Sequence, residues 1–263
     1  MDRVTESHLV LLDAWQVLSH ANPAFESRRG GLIDVAWNGF PSPFFNLAVT
    51  ARPPASLGEF EAALTETSAW AAERRAPWML AVCHETLGAL LPEATRVLER
   101  HGFAPMMPLT GMAADSLTPP RREKPAGMWL TEAEPAIGDH AIRLNEAAYQ
   151  MPIAEPGSLP LHQPDWWNAP DRMVTALAVD GQPVSCAAVL GIAGVRYVAL
   201  VATLPDARQK GYAEAAMRDV LERGLAAGLL PRTYLHATAA GRPVYERMGY
   251  RVTAEYTVYA QGH

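Results

Sequence analysis

The chain has 263 residues, 49% of them hydrophobic and 19% charged, which supplies a buried core and lies outside the composition of disordered chains. A net charge of -6, from 22 Lys plus Arg against 28 Asp plus Glu, argues against affinity for phosphate backbones or anionic lipid, so neither nucleic acid nor a membrane is expected as a partner. Cys83 and Cys186 are the two cysteines, with no CxxC or Cys/His spacing, and predict neither a structural disulfide nor a metal site.

The first fifteen residues carry Asp2, Glu6 and Asp13 among apolar ones, unlike the basic-then-apolar layout of a signal peptide, and a cytoplasmic protein is expected. In the first half, Phe44, Phe45 and Trp78 read as core. Pro119, Pro120, Arg121, Arg122, Glu123, Lys124 and Pro125 then interrupt any apolar period, and the break predicts a linker at 119–125 between domains at 1–118 and 126–263. Two echoes support a repeat. Leu98-Glu99-Arg100-His101-Gly102-Phe103 returns as Tyr245-Glu246-Arg247-Met248-Gly249-Tyr250, and the strand pattern of 47–53, ending at Pro53, returns at 199–205, ending at Pro205.

In the second half, a short strand is expected at 128–130 and a helix at 139–149. Residues 151–170 contain Pro152, Pro156, Pro160, Pro164 and Pro170, which predicts a long loop with short helical turns at most. Strands follow at 173–179, 183–192 and 195–204. Asp180-Gly181 and Ala193-Gly194 separate them and predict antiparallel hairpins. Residues 212–227 place Ala213, Ala216, Met217, Val220, Leu221 and Leu225 on one stripe of a helix, with Gly228 suited to its end. A strand at 233–237, a short helix at 242–248 and a last strand at 250–259 complete the chain. Cys186 reads as a core residue of its strand.

Between the third of these strands and the long helix lies Pro205-Asp206-Ala207-Arg208-Gln209-Lys210-Gly211-Tyr212-Ala213. Gly211 and the small Ala213 admit close backbone approach, the N–H groups of a helix start donate to an anion, and Arg208 and Lys210 add positive charge. This pattern predicts a pyrophosphate cradle. Arg208-x-x-Gly211-x-Ala213 resembles the acetyl-CoA loop of the GNAT acetyltransferase superfamily. The element order of 172–250, with Tyr245 just ahead of Gly249-Tyr250, follows the family throughout.

The resemblance implies an α/β (α+β) fold of two tandem GNAT-like modules, each a mixed, mostly antiparallel sheet flanked by helices. In the first module Ala55 stands where Arg208 is and Phe60 where Ala213 is, with Glu59 between them, so this copy is expected to be degenerate and unable to hold CoA. The implied activity is acetyl-CoA-dependent N-acetylation of a small-molecule amine by direct attack. A CoA-thioester hydrolase or decarboxylase, and a non-catalytic acyl-CoA-binding module, are the alternatives, and monomer and homodimer both stay open.

By the same resemblance the donor is bound by Leu200, Val201, Ala202, Thr203, Arg208, Gln209, Lys210, Gly211, Tyr212, Ala213 and Thr238, with the strand at 199–203 splayed from the one at 233–238. Tyr245 is implied as the acid that protonates the leaving thiolate. The strand at 195–204 lacks the carboxylate that often serves the family as base. His236, His162 and Asp165 are candidates, His236 alternatively an interior hydrogen-bonded residue, and water an alternative relay. His162, Trp166 and Trp167, with Tyr149 and Met151, either line an acceptor pocket or seal a domain interface.

Overall fold

The computed structural model describes residues 2–19, 22–150 and 159–261. Met151, Pro152 and Pro156 of the proline-rich stretch lie outside the described residues. In chain order the elements are α1 (Arg3–Leu18), β1 (Glu26–Arg28), β2 (Ile33–Trp37), β3 (Asn46–Thr50), α2 (Leu57–Arg74), β4 (Met79–Cys83), α3 (His84–Leu87), α4 (Leu91–Arg100), β5 (Phe103–Ala114), β6 (Met128–Thr131), α5 (Ile137–Tyr149), β7 (Arg172–Val179), β8 (Gln182–Ile192), β9 (Val195–Thr203), α6 (Tyr212–Ala226), β10 (Thr233–Thr238), α7 (Arg242–Met248) and β11 (Arg251–Gln261). Packing groups Met1–Met112, His236–Arg242 and Val252–His263 into one unit, and Ala113–Leu235 with Pro243–Arg251 into another.

The first unit is built on strands in the order β1-β2-β3-β4-β11-β5. Alternation along each strand decides which helices it carries. Val35, Trp37, Ala48, Leu80 and Val82 face Phe60, Leu64, Val97 and Leu98 of α2 and α4. Ala36, Leu47, Val49 and Ala81 face Leu11 and Leu12 of α1. Phe45 and Trp78 are buried here, as expected. One strand, β11, follows Gly249, and it pairs antiparallel with β4 from Tyr256↔Cys83 to Ala260↔Met79, so the C-terminal strand of the sequence belongs to the unit built mostly from the N-terminal half.

The second unit has the strand order β10-β9-β8-β7-β6, antiparallel except for β9 with β10. Asp180 and Gly181 at φ 51° and 76°, and Ala193 and Gly194 at φ 49° and 83°, supply the paired left-handed residues that two-residue hairpin turns demand. Helix α6 buries Ala216, Met217, Val220, Leu221 and Gly224; Gly224 lies close to Val189 of β8. Cys186 of the same strand faces Asn145 of α5 instead. The two strand residues are three apart, so α5 and α6 cover opposite faces. The segment 119–125 lies within this unit. Among the described residues, no helix is long and apolar enough to cross a membrane.

Candidate functional site

The turn between β9 and α6 starts with one helical turn at Pro205–Ala207 and then opens. Gln209 has φ 64° and Gly211 φ 86°, a left-handed pair that turns the chain sharply into the helix. Gly211 is the N-cap of α6, and no side chain caps it, so the first N–H groups of α6 lack the usual Ser, Thr or Asp acceptor. Tyr212 and Ala213 are half-buried while Arg208, Gln209 and Lys210 are exposed. Arg208 is turned toward the frame: its Nε donates to Thr203 O at 3.3 Å and its Nη2 to Ala148 O at 2.9 Å.

Strand β9 carries the second feature. Cys186 pairs with Ala202 and Ala188 with Ala199, so one extra residue bulges out of β9, and Leu200 takes φ 53°. A bulge of this kind re-aims backbone groups. The Leu200 carbonyl accepts from Asn145 Nδ2 at 3.2 Å and from Cys186 Sγ at 3.1 Å, and the Val201 carbonyl accepts from Tyr149 OH at 3.2 Å. On the other side, the registered pairs of β9 with β10 are Thr233↔Arg196 and Tyr234↔Tyr197. Leu200, Val201, Ala202 and Thr203 lie beyond these two pairs, so among the described residues the registered ladder with β10 ends before the bulge.

Tyr245 sits on α7, buried, with its ring 6.1 Å from that of Tyr250. Burial, with Tyr149, Tyr250 and Tyr197 nearby, pushes its phenol well above the usual tyrosine range, so it is held protonated. His236 and Thr238 belong to the first unit. His236 Nε2 lies 3.0 Å from Ser7 Oγ, at one end of a chain that continues to Tyr256 OH (2.8 Å), His8 Nδ1 (3.1 Å) and, from His8 Nε2, to Thr86 Oγ1 (3.1 Å). Burial, with His8 adding to it, pulls the His236 pKa down to about 3. The imidazole is therefore neutral at pH 7 and a weak proton acceptor, which favours the interior hydrogen-bonded reading of His236 over its role as base.

His162 is also buried, and its Nδ1 accepts from Leu159 N at 3.3 Å. Burial lowers its pKa as well. Trp166 and Trp167 pack edge to face at 4.6 Å. Trp167 Nε1 donates to Leu161 O at 2.9 Å, and the Arg172 guanidinium lies 4.4 Å above the Trp166 ring. Trp166 thus ties the 159–168 segment to β7 through Arg172, the His162 and Trp167 bonds hold the segment's own turns, and Leu161 and Trp167 lie close to Gly138 of α5. Asp165 is exposed and accepts from Asn168 Nδ2 at 3.2 Å; Met151 lies outside the described residues. Cys186 is a free, buried thiol whose pKa burial raises to about 12, as fits a core residue. Cys83, at the end of β4, is raised to about 11 for the same reason.

The matching turn of the first unit, between β3 and α2, is closed by its own side chains. Ser56 caps α2, its Oγ accepting from Glu59 N at 3.2 Å. The Glu59 carboxylate accepts from Ala55 N at 2.5 Å and pairs with Arg52 at 2.8 Å. Phe60 fills the core at 0% exposure.

Two features escaped the sequence reading. Leu200 is expected at the donor site, but no glycine or asparagine betrays its left-handed φ of 53°. Arg122, in the expected linker, lies against the cradle: its Nη1 donates to Gln209 O at 3.0 Å, and its Cδ would stand 3.2 Å from a Cβ placed on Gly211. The proline-rich composition around it signals only a break in periodicity.

Residues 141–250 match the model of the acetyltransferase (GNAT) family. Among solved structures, a GCN5-related N-acetyltransferase from Kribbella flavida is similar over 99% of this chain and 95% of its own, with a TM-score of 0.68 at 22% identity. A GCN5-related N-acetyltransferase from Sphaerobacter thermophilus is similar over 87% of this chain and 75% of its own, with a TM-score of 0.56 at 16% identity. A tandem GNAT protein from the clavulanic acid biosynthesis pathway is similar over 95% of this chain and 86% of its own, with a TM-score of 0.52 at 13% identity. At these identities the likeness shows the fold. No curated protein matches the chain.

Proposed function

We propose that this chain, whose residues 141–250 match the model of the acetyltransferase (GNAT) family, is an acetyl-CoA-dependent N-acetyltransferase that acylates an amine of a small molecule. The observation that carries the proposal is the uncapped, glycine-led start of α6, whose N–H groups and exposed Lys210 suit a pyrophosphate. Ala213, small and second in the helix, leaves room for it; counted from the helix caps it stands opposite Gly58 of the first unit, not opposite Phe60 as the sequence alignment has it. The first unit, with its turn occupied by Glu59, is read as a degenerate module that holds no donor.

When bound, acetyl-CoA supplies an activated acyl group on a good leaving sulfur. Gly211, Tyr212 and Ala213 would hold its phosphates by backbone N–H groups, with Lys210 as a cation. The edge of β9 from Leu200 to Thr203, beyond the registered pairs with β10, would take the amide-bearing arm. An acceptor nitrogen would attack the thioester carbon as the C–S bond breaks, and Tyr245, kept un-ionised by burial, would hydrogen-bond the departing sulfur and serve as its acid as charge develops there, regaining the proton from water. The amine proton leaves to water, since His236 with a pKa near 3 is too weak to take it. The amine must then arrive neutral, so kcat/KM should rise with pH through the acceptor's own pKa, with no inflection belonging to His236.

Calorimetric titration of acetyl-CoA into the wild type and Gly211→Glu tests this reading. One equivalent bound by the wild type and none by the variant is expected, followed by thiol release that requires an amine. Thiol release without amine would favour the hydrolase alternative, binding without turnover a non-catalytic module, and no binding would overturn the proposal.

A further inference from the structure

The segment 118–127 is composed like a linker but fastened like a strap. At one end Thr118 N donates to Met248 O at 3.0 Å and Thr118 Oγ1 to Arg247 O at 2.7 Å, tying it to α7. Midway, Lys124 Nζ pairs with Asp219 of α6 at 2.9 Å and stands 4.1 Å over the ring of Trp129. Asp219 is itself fixed, accepting from Thr175 Oγ1 at 2.6 Å and from Arg223 Nε at 3.2 Å. At the far end Gly127 runs so close to β7 that a Cβ would come within 2.7 Å of Ala178 O. Every one of these ties lies in the second unit, and between the first two stands Arg122.

The loop's own motif cation does not point at the helix start. Arg208 spends its Nε and Nη2 on Thr203 O and Ala148 O, where it also faces the negative end of α5. The guanidinium beside Gly211 is that of Arg122, using one of five donors on Gln209 O. We propose that residues 118–127 form a strap that delivers Arg122 to the phosphate end of the donor site, where its guanidinium binds pyrophosphate oxygens in the place left by Arg208. This rests on the donor reading above. Arg122 is exposed on a flexible stem, so it exchanges the Gln209 carbonyl for a phosphate oxygen without moving the strap, and a charge-assisted bond replaces a neutral one. Lys124 acts as a positioning residue through Asp219 and Trp129.

The test is calorimetry of acetyl-CoA with the wild type, Arg122→Ala, Arg122→Lys and Lys124→Ala over a salt series. Loss of one charge-assisted contact should weaken binding roughly tenfold in Arg122→Ala, with partial recovery in Arg122→Lys. Lys124→Ala should weaken it less. The Kd of Arg122→Ala should also rise less steeply with salt than that of the wild type, a change that loss of fold would not produce, and its melting temperature should be unchanged. Unaltered affinity in Arg122→Ala, or tighter binding, would overturn the role of Arg122 while leaving the donor site intact. Failure of the wild type to bind would overturn the donor site itself.

Discussion

The two strand-to-helix turns, β3 to α2 and β9 to α6, are built on one plan and end in opposite states. In the first, Ser56 and Glu59 satisfy the helix start and the turn from within the chain, and Phe60 locks the next residue into the core. In the second, a left-handed glycine begins the helix with no side-chain cap, and the cations nearby come from Lys210 and from Arg122 outside the loop. The difference teaches that a helix N terminus is an anion site only while the chain declines to fill it. Both helices carry a carboxylate at the third position, but Glu59 turns back to Ala55 N and Arg52 and closes its cap, whereas Glu214 pairs forward with Arg218 and leaves the start of α6 open.

The largest effect expected from breaking this contrast is on ligand affinity. Gly211→Glu closes the second turn by another route: it adds a carboxylate at the cap position itself and forces an L residue to φ 86°. Acetyl-CoA binding should vanish in calorimetry, with circular dichroism of the folded chain retained. A substitution in the first unit is costly for a different reason. Phe60→Ala removes a fully buried ring, which should cost about 3–5 kcal/mol in denaturant unfolding, and it should create no second binding equivalent, because Glu59 still occupies the turn.

How much of this contrast was legible from sequence follows from the range over which each signal acts. The hairpins at Asp180-Gly181 and Ala193-Gly194, the α6 stripe and the short helix α7 are local, set by turn residues and a 3.6-residue period, and they appear within a residue or two of where the sequence puts them. The closed state of the first turn was readable only in part: Glu59 does fill it, by holding Ala55 N and Arg52, but counted from the helix caps Glu59 stands opposite Glu214 and Phe60 opposite Ala215, so neither replaces a residue of the second turn's cradle. The strap was not. Its composition announces only broken periodicity, whereas its ties to Met248, Asp219 and Ala178 join residues far apart in the chain. The orientation of Arg208 was hidden likewise, because the motif shows a cation but not the carbonyls of Thr203 and Ala148 that claim it. His236 has the residue type of a base, but its partner Ser7 and its neighbour His8 come from the other end of the chain, beyond the range of any local pattern.

A further contrast comes from that hydrogen-bonded chain, which places two imidazoles, His8 and His236, inside the first unit. Burial depresses both, from an ordinary value of 6.5 to about 4 for His8 and about 3 for His236. Above pH 6.5 both are neutral folded or unfolded and add no pH dependence. As pH falls below 6.5 the unfolded chain takes up protons that the folded chain refuses, so stability should decline from there and keep declining toward pH 4 and then 3. Urea midpoints measured between pH 7.5 and 4.5 should fall accordingly, with a shallower decline in His8→Gln. A flat profile would mean that these imidazoles accept protons in the folded state.

The smallest expected effect concerns the cap that closes the first turn. Removing the Ser56 hydroxyl by Ser56→Ala leaves Glu59 N without its side-chain acceptor and should cost about 1 kcal/mol, read as a lowered melting temperature. The Glu59 carboxylate has its pKa lowered by the Ala55 N–H and Arg52, so its share of the closure is present above the ordinary carboxylate range and lost as pH falls through the depressed value. Ser56→Ala should therefore be less damaging at neutral pH, where Glu59 still grips Ala55 N, than at a pH low enough to neutralise Glu59. An equal cost at both would show that the two side chains cap α2 independently. The closed turn would then be a pair of separate bonds, and Ser56 alone would not be enough to keep an anion out once Glu59 had been replaced.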